Sequence, residues 1–235
     1  MEFNALVVDK DEENNITSSE VKKVSLSELP EGDVLVNVEY SNVNYKDGLC
    51  IGPGAGLVKT YPHVPGIDFA GTVENSENEN FQKGDKVILT GWRVGEVVWG
   101  GYAQKARVKA SQLVKMPEGM SSKQAMTMGT AGFSAMLSII RLEEFGMTKE
   151  NGEVLVTGAT GGVGSVSTVI LSNLGYEVVT VSGKSSSGDY LKSLGAKRTI
   201  DRSELNEVIK RPMESAAWAG CIDTVGGDTL SRLLG

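Results

Sequence analysis

The glycines between residues 156 and 165, in the stretch VTGATGGVGS, have the spacing of a site that holds a phosphate against bare main chain. The pattern Ala159-x-Gly161-x-x-Gly164 is the dinucleotide fingerprint with alanine at the first glycine position. Gly161 lets the backbone approach a pyrophosphate, and Gly164 lets a helix pack closely on a strand. Free amides at the start of that helix attract the phosphates. A tight strand-to-helix turn without a ligand is the alternative interpretation.

The strand after the glycine-rich stretch ends in TVSGKSSSGD and lacks the acidic residue that would bind the ribose hydroxyls of NAD. Ser182, Gly183 and Lys184 stand at its tip, and a hydroxyl, a bare backbone and a cation suit a 2′-phosphate. Arg202, just past the next strand, is expected to close over the same phosphate or the adenine. The sequence therefore favours NADPH. The alternative is that Lys184 is a solvated loop lysine and Ser185–Ser187 only cap the next helix.

The elements that position these residues alternate between strand and helix after residue 153. Strands are predicted at EVLVTG, YEVVTVSG, KRTID and GCIDTVGG, and helices at GVGSVSTVILSNLG and GDYLKSLG. This alternation is typical of an α/β fold with a parallel, doubly wound sheet, in which the fourth strand lies beside the first. Such a sheet commonly has six strands, and four are present. We therefore expect the natural chain to continue beyond residue 235.

The chain before residue 115 is predicted to be β-rich, with short apolar or alternating runs separated by turns. Such runs suggest a small barrel or sandwich. A helix is predicted over residues 121–146, with a capping box at Ser121 and Gln124 and a stop at Gly146. We expect a β-rich domain over residues 1–120 and a cofactor domain over residues 121–235.

Composition narrows the class of protein. The formal net charge of −7 argues against a nucleic-acid-binding face, because phosphates repel an acidic surface. No signal peptide and no stretch near the roughly 20 apolar residues of a membrane span are visible. Cys50 and Cys221 cannot form a disulfide framework. A cytoplasmic protein without membrane attachment is expected.

A metal site is not expected. The one histidine, His63, and the two widely separated cysteines match no ligand spacing of a tetrahedral zinc site. His63 is interpreted as a loop or packing residue.

Several motifs together resemble one family. NYKDGL, YPHVPGIDFAGTV, GTAGFSAM, YLKSLGA and WAGCIDTVGG are similar to the zinc-free quinone-oxidoreductase branch of the medium-chain dehydrogenase/reductase superfamily, and within it to the acrylyl-CoA reductase group. The resemblance covers essentially the whole chain. It implies that residues 1–120 are a GroES-like catalytic domain, that residues 121–235 are part of a Rossmann-like NADP-binding domain, and that the protein reduces acryloyl-CoA to propanoyl-CoA with NADPH. It also implies a homodimer. Where zinc-dependent relatives have Gly-His-Glu, this chain has Gly66-Ile67-Asp68.

The resemblance also implies which residues hold the cofactor. These are Tyr45, Thr160, Gly161, Gly162, Val163, Ser182, Gly183, Lys184 and Arg202. Tyr45, in a loop between β-elements, is expected to contact the nicotinamide and is a candidate proton donor, with solvent as the alternative. Its neighbours Lys46 and Asp47 could pair with each other.

Two other functions stay open. The protein could reduce quinones or other enones with the same cofactor, or it could bind NADPH without turnover as a redox sensor. Trp92 and Trp99 flank a mobile-looking glycine-containing loop and either rim a substrate cleft or are buried. A set of apolar residues at helical spacing is predicted to be core: Met126, Met128, Phe133 and Met136.

Overall fold

The computed structural model describes residues 1–11, 16–52, 56–205 and 216–234. The chain divides into two compact units, Met1–Thr130 and Ala131–Gly235. Antiparallel sheets make up the first unit and a parallel sheet with helices makes up the second, so the predicted α/β class is confirmed. The functional division expected between residues 120 and 121 stays a prediction.

The first unit contains a strand pair and a five-stranded antiparallel sheet of order β6-β3-β4-β5-β7. The strands are β1 Glu2–Asp11, β2 Ile16–Ser25, β3 Val34–Ser41, β4 Asp68–Ser76, β5 Lys86–Thr90, β6 Lys105–Val108 and β7 Val114–Lys115, and the helix is α1 Tyr45–Ile51. Strand β1 pairs with β2, and it bridges to the rest of the unit at Ala5–Ala103 and Val8–His63. Alternating apolar residues of β3, β4 and β5 form the main core.

The sequence did not predict β2, β7 or α1. Strand β2 has the sequence ITSSEVKKVS, whose many polar residues obscure the alternation of apolar and polar positions that marks a strand. It pairs with β1 in a two-stranded sheet. Strand β7 has two residues. Helix α1 has seven, too few for a helical period to stand out.

The second unit has a four-stranded parallel sheet of order β10-β9-β8-β11. Its elements are β8 Val154–Val156, α3 Gly162–Asn173, β9 Val178–Ser182, α4 Gly188–Ser193, β10 Arg198–Asp201, β11 Gly220–Ile222 and α5 Gly227–Leu234. The fourth strand lies beside the first, with Gly220 opposite Val154, as the doubly wound prediction requires. The first strand pairs on its other side with β9, so the carboxyl ends of β8, β9 and β11 lie along one edge.

Helix α2, Ser122–Glu144, crosses the division between the units. The predicted capping box is confirmed, because the N–H of Ser121 donates to Gln124 Oε1 over 2.9 Å and the N–H of Gln124 donates to Ser121 Oγ over 3.2 Å. The predicted continuous helix is interrupted at Gly129, where φ is 49° and ψ is −155°.

The predicted core residues on α2 behave differently on the two sides of this break. Met126 is buried, whereas Met128, Phe133 and Met136 are exposed. The helical spacing was counted across Gly129, and the non-helical residue changes the phase of the helix. The prediction for these three residues is therefore wrong.

Among the described residues, α2 is the one helix long and apolar enough to resemble a membrane span, a test that core helices also pass. The interruption leaves a helical segment from Thr130 to Glu144 with a length of about 22 Å at 1.5 Å per residue. That is shorter than the roughly 30 Å hydrocarbon core of a bilayer.

Candidate functional site

The glycine-rich loop joins β8 to α3 in the order that the fingerprint predicts. Gly158 has φ of 55°, and a Cβ there would lie 2.2 Å from Thr224 Oγ1. A Cβ on Gly164 would lie 2.5 Å from the carbonyl oxygen of Gly158. Gly164 therefore lets α3 pack directly against the end of the strand, as the sequence analysis predicts.

The start of α3 is suited to an anion. Gly161 is the N-cap residue and no side chain caps the helix, so the first amides lack that partner. Thr160, Gly161 and Gly162 are exposed and Val163 is half-buried. Exposed backbone amides at the positive end of a helix dipole have the arrangement that binds phosphate in other proteins.

Gly183 and Arg202 are in contact, although they are far apart in sequence. A Cβ on Gly183 would lie 2.3 Å from Arg202 Nη2 and 3.0 Å from Cζ, so the guanidinium lies against the bare main chain of Gly183. Gly183 and Lys184 are exposed beside it, at the carboxyl end of β9. Two cationic residues and a hydroxyl thus stand at or beside the strand tip, where an acid would repel a phosphate.

The Ser182 hydroxyl is held by its neighbours. It accepts the backbone N–H of Lys184 over 3.1 Å and lies 2.7 Å from Ser187 Oγ. Ser187 Oγ also lies 2.6 Å from the carbonyl oxygen of Lys184, which can only accept. If the single Ser187 proton goes to that carbonyl, the Ser182 proton can point to Ser187 or to a bound phosphate. Ser187 therefore orients Ser182, and although it is the N-cap residue of α4 its side chain makes no capping hydrogen bond.

A clamp connects the carboxyl ends of β8 and β11. Thr157 Oγ1 donates to Asp223 Oδ1 over 2.5 Å, and Thr224 Oγ1 donates to the carbonyl oxygen of Thr157 over 3.0 Å. The N–H of Gly226 donates to Asp223 Oδ2 over 2.8 Å. In doubly wound sheets, ligands bind outside this edge, where the strand order reverses. Sequence reasoning missed Thr157 and Thr224, because their partners are distant in the chain.

Tyr45 is the first residue of α1, not a loop residue as predicted. Its side chain is 83% exposed. Asn44 is the N-cap, and its N–H donates to Asp47 Oδ2 over 2.8 Å. Asp47 is buried, and its Oδ1 accepts the N–H groups of Gly66 and Ile67 over 3.2 and 2.9 Å. The buried carboxylate therefore fixes the helix that carries Tyr45.

Lys46 and Asp47 do not pair, contrary to the sequence interpretation. Lys46 Nζ lies 2.8 Å from Glu96 Oε1, and the Glu96 side chain is nearly buried. This ion pair connects α1 to the loop that contains Trp92. Trp99 Nε1 donates to the carbonyl oxygen of Pro62 over 3.0 Å, whereas Trp92 is 64% exposed.

Asp68 organises a second buried cluster. It accepts the N–H of Thr130 over 2.8 Å, the Thr130 hydroxyl, and Asn44 Nδ2 over 3.1 Å. Asn44 Nδ2 also reaches Asn42 Oδ1 over 2.8 Å, and Asn42 Nδ2 donates to the carbonyl oxygen of Met126. Asn44 Nδ2 is thus occupied within the cluster, whereas the side chain of the next residue, Tyr45, is exposed.

The thiols and the imidazole are arranged for packing. Burial raises the pKa of Cys50 to about 11 and that of Cys221 to about 12, so both are thiols at neutral pH. Burial lowers the pKa of His63, whose Nε2 lies 2.8 Å from the carbonyl oxygen of Gly95. Within the described ranges, no group of three or more His, Cys, Asp or Glu residues could hold a metal ion.

The structure brings eight of the nine implied cofactor residues into the second unit, at the starts and ends of adjoining elements. Thr160 to Val163 lie at the start of α3, Ser182 to Lys184 at the end of β9, and Arg202 just past β10 against Gly183. Tyr45 lies in the first unit. Neither Gly161 nor Gly183 has a side chain that would block a dinucleotide, so these positions are compatible with a pyrophosphate at the start of α3 and a 2′-phosphate at the tip of β9.

Known proteins match this chain over most of its length. Residues 30–118 match the alcohol dehydrogenase GroES-like domain. The chain is 64% identical to the acrylyl-CoA reductase AcuI of Ruegeria pomeroyi, over 99% of this chain and 71% of that relative. The yhdH oxidoreductase of Salmonella enterica, solved in complex with NADP, is 48% identical with a TM-score of 0.93 over 100% of this chain and 70% of that one. The yhfP protein of Bacillus subtilis, solved with NAD bound, is 43% identical with a TM-score of 0.95 over the same shares.

Proposed function

This chain belongs to the medium-chain dehydrogenase/reductase superfamily, and we propose that it reduces the carbon–carbon double bond of acryloyl-CoA to propanoyl-CoA with NADPH. The proposal takes its substrate from the acrylyl-CoA reductase AcuI, the relative that is 64% identical. It takes its cofactor from the residues at the tip of β9 and from Arg202 beside them.

The observation that carries the cofactor choice is the contact between Arg202 and Gly183 beside Lys184. In this proposal, the cations Lys184 and Arg202 bind the 2′-phosphate and Ser182 donates its hydroxyl proton to it. Charge-assisted bonds of this type are roughly twice as strong as neutral ones. Residues 160–163 hold the pyrophosphate through backbone amides at the start of α3.

When bound, NADPH supplies the hydride that the β-carbon of the acryloyl group accepts. The protein's own residues then have to stabilise the charge that develops on the thioester oxygen and to exclude water. One proton is also delivered to the α-carbon, which balances the reduction. No nucleophile is required, consistent with thiols whose pKa is raised by burial.

We propose Tyr45 as the residue of the first unit that contacts the nicotinamide, and its hydroxyl as a candidate proton donor. The alternative donor is solvent. Tyr45→Phe separates the two, because loss of the hydroxyl lowers kcat and leaves KM unchanged only if that hydroxyl delivers the proton. An unchanged kcat assigns the proton to solvent.

The decisive experiment compares NADPH with NADH in the reduction of acryloyl-CoA by the parent protein and by Lys184→Asp. A strong NADPH preference is expected in the parent, falling by about ten- to a hundredfold in the variant, because one charge-assisted bond is worth about 1.5–3 kcal/mol. Lys192→Asp makes the same charge change on an exposed residue of α4 and should leave the preference intact. Equal use of both cofactors by the parent contradicts the proposal.

The substrate is tested with the same protein. Oxidation of NADPH by acryloyl-CoA but not by a panel of quinones is expected. The reverse result would favour a quinone or enone reductase. Tight NADPH binding without turnover of either class would favour a redox sensor.

We also propose that the protein is a cytoplasmic homodimer, in line with the resemblance of the motifs described above. Light scattering coupled to size-exclusion chromatography tests the oligomeric state. A monomer at micromolar concentration would contradict the dimer.

A further inference from the structure

The turn at Gly91–Val94, hereafter the Trp92 turn, has an unusual backbone. Gly91, Trp92 and Arg93 have φ of 77°, 58° and 60°, three successive residues in the left-handed region. Trp92 and Arg93 are the two non-glycine residues with positive φ among the described residues. For a residue as bulky as tryptophan this conformation is a clear outlier, and the surrounding structure has to enforce it.

The enforcing contacts lie on both sides of the turn. The N–H of Gly91 donates to the carbonyl oxygen of Ile67 over 3.1 Å, and Val94 is fully buried in the core of the first unit. A Cβ on Gly95 would lie 2.6 Å from the carbonyl carbon of Gly66, so the loop is pressed against that residue. The loop that the sequence suggested to be mobile is therefore fixed to its neighbours.

The strain does not serve packing. Trp92 is 64% exposed and Arg93 is exposed as well. Within the part of the chain that the structure describes, the Arg93 side chain makes no hydrogen bond or ion pair. Two consecutive residues thus expose a flat aromatic side chain and a guanidinium without a hydrogen-bond partner among the described residues. The guanidinium stands out in a protein whose net charge is −7. Strain of this kind concentrates at ligand-binding positions.

The turn is connected to the element that carries Tyr45. Glu96, three residues beyond Arg93, forms the ion pair with Lys46, the residue after Tyr45 in α1. The same loop rests on Gly66 and Ile67, whose amides bind Asp47 of α1. A ligand held at the Trp92 turn is therefore held at a fixed position relative to α1.

We propose that Trp92 and Arg93 bind the nucleotide end of the acyl-CoA substrate, with the adenine on the indole face and a phosphate on the guanidinium. This inference rests on the proposed function, which supplies an acyl-CoA. Aromatic faces are sequence-tolerant stacking platforms for bases, and arginine binds phosphate oxygens with two parallel bonds. The nucleotide end carries both groups, whereas a quinone carries neither.

The test uses two substrates that share the acryloyl thioester. Acryloyl-CoA contains the nucleotide, and the acryloyl thioester of N-acetylcysteamine lacks it. Arg93→Glu is expected to raise the KM for acryloyl-CoA about tenfold or more, a loss of about 1.4 kcal/mol. The KM for the short thioester and the KM for NADPH are expected to stay the same. Lys83→Glu, an equal charge change at another exposed turn of the first unit, is the control.

Trp92→Gly separates binding from folding. Glycine accepts the left-handed backbone without a penalty, so this variant should resist urea at least as well as the parent. Its KM for acryloyl-CoA should still rise severalfold. A merely structural Trp92 would give the same KM as the parent.

The outcomes are distinguishable. If the parent reduces both thioesters and Arg93→Glu changes neither KM, or changes both equally, the inference is overturned and the proposed function stands. If the parent reduces quinones and neither thioester, the proposed function fails, and the inference fails with it.

Discussion

Asp68 Oδ2 lies 2.8 Å from the backbone nitrogen of Thr130, the first residue after the non-helical Gly129 inside α2. The carboxylate therefore caps the helix segment that starts there, although 62 residues separate the two in sequence. Its other contacts go to the Thr130 hydroxyl and to Asn44, the N-cap of α1. One buried side chain thus supports the starts of two helices, including the one that carries Tyr45.

Asp68→Asn is expected to lower the free energy of unfolding by about 2–3 kcal/mol. An amide keeps one acceptor oxygen and turns an NH₂ group toward donors, and each unpaired buried group costs about 1–3 kcal/mol. Urea unfolding measures the effect. Asp9→Asn, which removes an exposed ion pair with Lys22, is the control and should cost less than about 1 kcal/mol. Equal losses of unfolding free energy in the two variants would show that the Asp68 hydrogen bonds do not stabilise the fold more than an exposed ion pair does.

Gly129→Ala is expected to be strongly destabilising. At φ of 49° and ψ of −155° an added Cβ would lie 1.9 Å from Asn42 Nδ2 and 2.7 Å from Asp68 Oδ2. A backbone conformation nearly exclusive to glycine and a clash with the cluster together suggest a loss of about 3 kcal/mol or more. Gly48→Ala provides the comparison, because a Cβ there meets nothing within 4 Å and alanine favours a helix. That variant should be as stable as the parent or more stable.

Gly183→Ala should impair the use of NADPH without harming the fold. Its Cβ would overlap the end of the Arg202 side chain, which can swing away at little cost. The KM for NADPH is expected to rise about tenfold, the worth of roughly one charge-assisted bond, while the KM for NADH changes little. Gly188→Ala, where a Cβ meets open space, should leave both constants unchanged. A parent-like KM for NADPH in Gly183→Ala would contradict the assignment of Arg202.

His63 should make stability depend on pH below neutrality. Burial lowers its pKa beneath 6.5 in the folded state, so the unfolded chain binds the proton first as pH falls. The free energy of unfolding should therefore be undiminished above about pH 6.5 and should decrease below it, by at most about 1.4 kcal/mol per pH unit. Unfolding at pH 7.5 and 5.5 should show a smaller difference in His63→Gln. An identical difference in parent and variant would assign the effect to other groups.

Sequence patterns predicted what local spacing controls. The glycine-rich loop, the parallel sheet and the placement of its fourth strand follow from short-range patterns, and the structure has them in place. The Arg202 position could be predicted too, because strand ends of a parallel sheet meet at one edge.

Features that depend on distant partners could not be predicted. The Asp68 cluster, the Thr157 clamp and the Trp92 turn depend on contacts between residues more than 20 positions apart. No single residue in the sequence marks the left-handed backbone at Trp92. The break at Gly129 also misled the helical count, since one glycine within an apolar run gives no sign of its torsion angles.

Beyond that break, α2 is apolar on two sides. One side is buried through Ala135 and Ile139, and the other leaves a stripe open to water: Phe133, Met136, Leu137 and Ile140. An exposed apolar stripe of this kind promotes association with other apolar surfaces. The native 235-residue chain should therefore bind anilinonaphthalene sulfonate and increase the fluorescence of this dye. Its tendency to aggregate should rise as ammonium sulfate is added, because this salt strengthens the burial of apolar surface.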